Sequence, residues 1–195
     1  ELAKLFANFW RYASFAIANQ IFTTCEKYST DSHEVIKIIK DNYPRAAGLP
    51  YPGLAAGPCL YKDTIQLIAS LNNEFSLGTA IANVNEGVIY SIANKAINLQ
   101  TKFNKKILIM GASFKADNDD TRSSLAFKLH KTLILRSNKD VIFYDPLVKH
   151  PKVTNKVKAS EISSSIIVLA TPHKIFKTHK KLIQKKLLVD IWNFF

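Results

Sequence analysis

The stretch Gly53-Leu54-Ala55-Ala56-Gly57-Pro58-Cys59-Leu60-Tyr61-Lys62-Asp63-Thr64 gathers residue types that can do covalent chemistry. Glycine and proline give way to a cysteine, and the apolar residues after Tyr61 return at helical spacing. The stretch therefore reads as a loop entering a helix. A cysteine at such an entry faces unpaired backbone N–H groups and the positive end of the helix dipole. Lys62, three residues on, adds a positive charge, and together these favour thiolate over thiol. That is the setting of a nucleophile. A small buried structural thiol fits the same local sequence, since free cysteine is among the most buried residue types.

A second group suits phosphate. Phe114-Lys115 and Asp120-Thr121-Arg122-Ser123 offer a cation, hydroxyls and a forked guanidinium at a strand–helix junction. An exposed polar loop is the alternative. The chain has six glycines, and no two of them make the G-x-G that lets backbone approach a pyrophosphate closely. A phosphate-bearing ligand held without a standard NAD turn follows.

The elements that must position these groups differ between the two halves. Residues 1–28 read as one long helix, with Leu2, Leu5, Phe6, Phe9, Ala13, Ala16, Ile17 and Phe22 at helical spacing and buried on much of its circumference. Lys4 and Asn8 share one face of it. Asp31-Ser32-His33-Glu34 resembles a capping box, with His33 an exposed first-turn residue, and its helix stops before Pro44. The loop Ala46–Pro58 is rich in ordered punctuation, and a second long helix spans roughly Phe75–Leu99.

After the polar stretch Gln100–Lys105 the texture changes. Short apolar runs at residues 106–111, 141–144, 165–170 and 187–190 read as buried strands, with a helix Ser123–Arg136 between the first two. Strands alternating with helices make a parallel α/β sheet, whose ligands bind beyond the C-terminal strand ends. The expected fold is thus a helical domain over residues 1–100 followed by a Rossmann-like α/β domain over 105–195. The apolar helical faces of the first are available to a second subunit.

Composition narrows the function classes. With 195 residues and 47% hydrophobic side chains the chain can bury real cores, and no apolar run approaches membrane-spanning length. Residues 1–100 carry as many acidic as basic side chains, so the net charge of +12 belongs wholly to 101–195. Such asymmetry points the second half at something anionic. A nucleic-acid surface would need aromatics among its lysines, and Lys149–Lys186 offers few beyond Phe176, so a solvated lysine surface is expected there. Two cysteines do not make a disulfide scaffold, nothing suggests a metal site, and without a signal peptide a reducing cytoplasm is expected. Glu1 is not a natural start and the chain opens in mid-helix pattern, so it is expected to belong to something longer.

In combination these stretches resemble the UDP-glucose/GDP-mannose dehydrogenase family, the nucleotide-sugar 6-dehydrogenases of polysaccharide biosynthesis. Glu1-Leu2-Ala3-Lys4-Leu5-Phe6-Ala7-Asn8 looks like the family's central dimerisation helix, and Gly57-Pro58-Cys59-Leu60-Tyr61-Lys62-Asp63 is similar to its catalytic cysteine motif. Gly111-Ala112-Ser113-Phe114-Lys115-Ala116-Asp117 with Asp119-Asp120-Thr121-Arg122-Ser123 resembles the opening of its C-terminal nucleotide-sugar domain. The resemblance implies NAD-dependent oxidation of the C6 alcohol of a UDP-sugar, of UDP-glucose or UDP-N-acetylhexosamine type, to a uronic acid through a thioester on Cys59. It implies that Lys4 and Asn8 hold the reacting oxygen and the hydrolytic water, and that Asp63 activates Cys59 or that water. Arg45, Leu49, Tyr51, Gly57, Phe114 and Lys115 would meet the substrate, Lys115 on its diphosphate side and Arg45 across a homodimer. Arg122 lies where the family contacts the cofactor. The family's N-terminal NAD domain with its G-x-G-x-x-G is absent here, so this chain alone is expected to be inactive. A non-catalytic nucleotide-sugar-binding and dimerisation module is the alternative. Ala56-Gly57-Pro58 replaces two adjacent glycines of many members, and Trp192 stands where some place an arginine.

Overall fold

The computed structural model describes residues 1–72 and 74–195. It divides into two compact units, Glu1–Val88 and Ile89–Phe195.

The first unit is helical. Helix α1 spans Leu2–Lys27, and α2, Ser32–Asn42, starts where the Asp31 carboxylate accepts the His33 backbone N–H at 2.8 Å. The turn Pro44–Ala46 follows, as Pro44 forbids continuation. Helix α3, Leu60–Ser70, opens directly after Cys59, and α4 runs from Ser76 to Phe103, across the division between the units. Tyr12 and Ala16 of α1 pack with Ala55, Leu60, Ile81 and Ala82 into one core, extended by Phe9. Phe9 lies 4.8 Å from Phe75, and Phe6 meets both rings edge-on.

Helix α1 is not buried around most of its circumference. Tyr12, Ala16, Asn19 and Phe22 are buried, whereas Leu2, Trp10 and Ile17 stand in solvent, Trp10 at 72%. The apolar pattern is wider than the face that one chain covers.

A buried amide network fixes the loop before α3. Asn19 Nδ2 donates to the Gly53 carbonyl at 3.0 Å while its Oδ1 accepts the Gly53 N–H at 2.9 Å. Asn19 Nδ2 also donates to Asn85 Oδ1, and Asn85 Nδ2 to the Tyr12 carbonyl.

The second unit holds a four-stranded parallel sheet, order β2-β1-β3-β4, with β1 Ile107–Met110, β2 Val141–Tyr144, β3 Ile166–Leu169 and β4 Leu188–Asp190. Both central strands are wholly buried, as a parallel sheet covered on two faces requires. Leu108, Met110, Ile167 and Leu169 point to one side, into a core with Tyr144, Ile162 and Phe176. On the other side lies helix α5, Leu125–Arg136, capped by Ser124; its Phe127 and His130 rings sit 5.1 and 4.6 Å from Phe143. Helix α6, Ala159–Ser164, and the 3-10 turns Lys174–Leu182 and Lys185–Leu187 were not expected, being too short for a readable period.

Strand order reverses between β1 and β3, which makes their C-terminal ends the crevice where such sheets bind ligands. Gly111 ends β1 there with φ +94, and a Cβ on it would lie 2.5 Å from the Thr171 carbonyl oxygen. Only glycine fits this conformation and this approach.

Two substitutions test these pins. Gly111→Ala combines a left-handed backbone with a backbone clash and should cost about 3 kcal/mol or more in urea unfolding of the second unit. Asn19→Ala strands both backbone groups of Gly53 and the side-chain oxygen of Asn85, and should cost about 2–4 kcal/mol in the first. A midpoint unchanged from wild type in either case would show that the contact carries no weight.

Candidate active site

Gly57, at φ +113, turns the chain so that Pro58 and Cys59 lead into α3. Cys59 occupies the N-cap position and is exposed, so it is not a buried structural thiol; Cys25, inside α1, is buried. The Cys59 carbonyl accepts the Asp63 N–H at 2.8 Å, which places Asp63 one turn along the same helix.

Asp63 is buried, and a buried carboxylate needs partners. Asn8 Nδ2 donates to its Oδ2 at 2.6 Å, and Lys4 Nζ stands 3.8 Å from the same oxygen. Lys4 and Asn8, a turn apart on α1, thus converge with Asp63 of α3. Lys4 keeps 69% of its side chain in solvent, so its ion pair is screened and modest. The short Asn8 bond is the firmer of the two.

The loop residues are held by α2. Lys40 Nζ donates to the Leu49 carbonyl at 2.9 Å and lies 5.1 Å from the Tyr51 ring centre. His33 stacks on Tyr51 at 5.0 Å with planes 13° apart, so it is half-buried against the loop rather than an exposed first-turn residue. Arg45 lies exposed in the turn Pro44–Ala46.

In the second unit, Ser113, Phe114 and Lys115 follow Gly111 at the crevice between β1 and β3. Ser113 is buried and Lys115 exposed, its Nζ 5.7 Å from the Phe114 ring centre. The Phe114 N–H donates to the Asp120 carbonyl at 2.9 Å and folds the loop on itself. Arg122 forks onto the Asp120 carboxylate at 2.7–3.1 Å, and this side-chain bond holds the Asp120 pKa below its ordinary value.

Two functional candidates lay outside the sequence reading. Asp145, just past β2, and His173, just past β3, are both fully buried and meet at 2.9 Å. Burial opposes ionisation of Asp145, but hydrogen bonds from His173 and from the Ala112 and Leu147 N–H groups outweigh it and lower its pKa. A hint existed, because Asp145-Pro146 and Thr171-Pro172-His173 both punctuate strand ends at the ligand-binding edge. The Asn19–Gly53 pair gave none.

The second unit does not build a dinucleotide site. Gly111 stands alone, the Ala112 N–H is committed to Asp145, and α5 opens only at Leu125. The strand-to-helix turn of a dinucleotide site, with paired glycines and an immediate helix start, is therefore not built there. Phe176 is fully buried and cannot stack on a base. Among the described residues no group of three His, Cys, Asp or Glu side chains could hold a metal, and no helix is long and apolar enough to cross a membrane.

Comparison with known proteins covers both units. The family model for the UDP-glucose/GDP-mannose dehydrogenase central domain matches residues 1–87, and that for the family's UDP binding domain matches 108–195. UDP-N-acetyl-D-mannosamine dehydrogenase of Pyrococcus horikoshii is 29% identical over 203 residues, covering 97% of this chain and 47% of that protein. NDP-N-acetyl-D-galactosaminuronic acid dehydrogenase of Ralstonia nicotianae is 25% identical over 199 residues, again 97% of this chain and 47% of the relative. The solved UDP-D-ManNAc dehydrogenase structure from Pyrococcus horikoshii superposes with a TM-score of 0.79 at 26% identity, over 94% of this chain and 46% of that one. The chain therefore spans about half the length of the curated relatives it matches. With two of the family's domains matched in order, the chain belongs to the UDP-glucose/GDP-mannose dehydrogenase family.

Proposed function

We propose that this chain supplies the catalytic cysteine and the nucleotide-binding loop of an NAD-dependent nucleotide-sugar 6-dehydrogenase acting on a UDP-sugar. Within that class, the names of the relatives favour an N-acetylhexosamine substrate. One observation carries the reading: Cys59 is exposed at the N-terminus of α3, while Lys4, Asn8 and Asp63 converge one turn away.

Two partial steps fall to these residues. In the first, Cys59 Sγ adds to the C6 carbon at the aldehyde level; a C–S bond forms and the carbonyl oxygen takes up negative charge. The Lys4 ammonium and the second N–H of Asn8 stabilise that oxygen. In the last, water attacks the thioester carbon, the C–S bond breaks, and the carboxylate leaves with Sγ restored. Asp63 takes the proton of that water. The oxidation between them needs a nicotinamide dinucleotide, whose G-x-G-x-x-G turn these 195 residues do not contain, so on this reading the chain by itself binds substrate but does not oxidise it. Lys115 meets the diphosphate, Phe114 and the loop residues Leu49 and Tyr51 line the substrate, Arg45 reaches the substrate of a partner subunit, and Arg122 meets the cofactor.

The exposed apolar face of α1, with Leu2, Phe6, Trp10 and Ile17, supports a homodimer formed through this helix. Trp10→Asp should shift sedimentation at micromolar concentration from dimer to monomer. A monomeric wild type would end the dimer reading.

In a polypeptide joining this chain to a dinucleotide-binding domain, Cys59→Ser should lower NADH formation by about a thousandfold or more, ~4 kcal/mol in the barrier. Cys25→Ser should leave it near normal. If Cys59→Ser turns over at the normal rate, Cys59 is not the nucleophile. Lys115→Ala in the chain alone should weaken UDP binding about tenfold or more by calorimetry. An unchanged isotherm would remove Lys115 from the substrate.

A further inference from the structure

The imidazole of His173 is wholly buried at the end of β3, and its two nitrogens do different work. Nδ1 lies 2.8 Å from the Asp117 backbone N–H, so Nδ1 accepts and carries no proton. Nε2 then bears the ring hydrogen and donates it to Asp145 Oδ2 at 2.9 Å. The same Asp145 oxygen accepts the Ala112 N–H at 2.7 Å. The path from Ala112 N–H through Asp145 and His173 to Asp117 N–H joins the two ends of the loop Ala112–Asp117. Inside that ring, Ser113 Oγ donates to the Lys115 carbonyl at 2.7 Å and lies 3.3 Å from His173 Nε2. Outside it, Lys174 N–H and Thr171 Oγ1 bind the Asp117 carboxylate and the Ser113 carbonyl. Lys115 rides on this loop with its backbone fixed and its ammonium in solvent.

We propose that His173, oriented by Asp145, is a positioning residue that clamps the loop Ala112–Asp117 so that Lys115 stands ready for the diphosphate of the nucleotide sugar. The inference rests on the reading of Lys115 given above. A buried polar pair is a poor way to gain stability alone, since apolar residues of similar volume fill such a space as well or better. What this pair does that an apolar pair cannot is accept two backbone N–H groups, one from each end of the loop Ala112–Asp117.

The two bonds of His173 can be removed one at a time. Asn at this position retains an acceptor near the place of Nδ1 and loses the bond to Asp145; Gln retains an N–H near the place of Nε2 and loses the acceptor for Asp117. On the 195-residue chain, amide hydrogen exchange should rise in residues 112–117 for His173→Gln and His173→Asn while β1 and β3 stay protected. The Kd for UDP should rise about tenfold, one charge-assisted contact's worth. In the Lys115→Ala background, His173→Gln should add less than about twofold, because the clamp acts through that lysine.

Should the His173 variants fail to fold, Ser113→Ala leaves the His173–Asp145 and His173–Asp117 bonds in place and removes the inner bond to the Lys115 carbonyl with the longer contact to His173 Nε2. Its Kd for UDP should then rise about threefold or more. Loosened loop amides with unchanged UDP affinity overturn the clamp while leaving Lys115 in its role. Full tenfold loss from His173→Gln on top of Lys115→Ala also overturns it, as the effect would then bypass the lysine. If wild type and Lys115→Ala alike fail to bind UDP, the reading of Lys115 falls and the clamp's purpose with it.

Discussion

The pairing of the Asn19 carboxamide with both backbone groups of Gly53 is the contact on which the course of the loop before α3 depends. The approach to Cys59 has no strand ladder to satisfy its backbone, and buried N–H and C=O groups left unpaired are expensive. Side chains from helices take the ladder's place: Asn19 at Gly53 and Lys40 at Leu49. With those points fixed, the positive φ of Gly57 determines where Cys59 enters α3. An exposed cysteine has little packing of its own to hold it. Its position is inherited from a buried amide six residues earlier in the chain.

The two buried carboxylates are stabilised in different ways, and the difference suits different tasks. Asp145 is closed: two backbone N–H groups and an imidazole satisfy it, and no side chain from solvent reaches it. Such a group holds geometry. Asp63 is open on one side, with a short amide bond from Asn8 and a long contact to a lysine that is mostly in water. In the proposed mechanism Lys4 would give up little by turning to a developing oxyanion, and Asn8 would retain a second N–H for it. A site for chemistry needs partners that can exchange, whereas a site for positioning needs partners that cannot.

Much of this was legible from the residues. Uninterrupted helical spacing marked α1 and α4 within a few residues, and four continuous apolar runs marked the strands, since parallel sheets buried on both faces lose the alternating pattern. Cys59 and Asp63 could be placed on one helix from their spacing. Their meeting with Lys4 and Asn8 came only from the family resemblance, because spacing within α1 says nothing of what faces it. His33 against Tyr51 and Asn19 against Gly53 were invisible for the same reason: each pair joins a helix to a loop, and no period links them. The breadth of the apolar pattern on α1 was read correctly as apolar, and in the single chain Leu2, Trp10 and Ile17 of that face stay exposed. Sequence records that a face avoids water, not which molecule covers it.

The basic character of the second unit is explained in part by structure rather than by ligand. Lys105 and Lys139 donate to the Ser164 and Asn104 carbonyls, Lys106 pairs with Asp140, and Lys177 and Lys186 lie over the rings of Phe194 and Phe103. These cations cover element ends and ring faces of the unit itself. Their summed field still draws a small anion toward the unit, screened beyond about 10 Å at 0.1 M salt. Capture by such a field is unselective, so selection must come from a group fixed at short range. Lys115 is one exposed cation of this unit carried on a loop fixed by buried groups. On the proposed reading, net charge brings the nucleotide near and the buried bonds behind the loop decide how it is held.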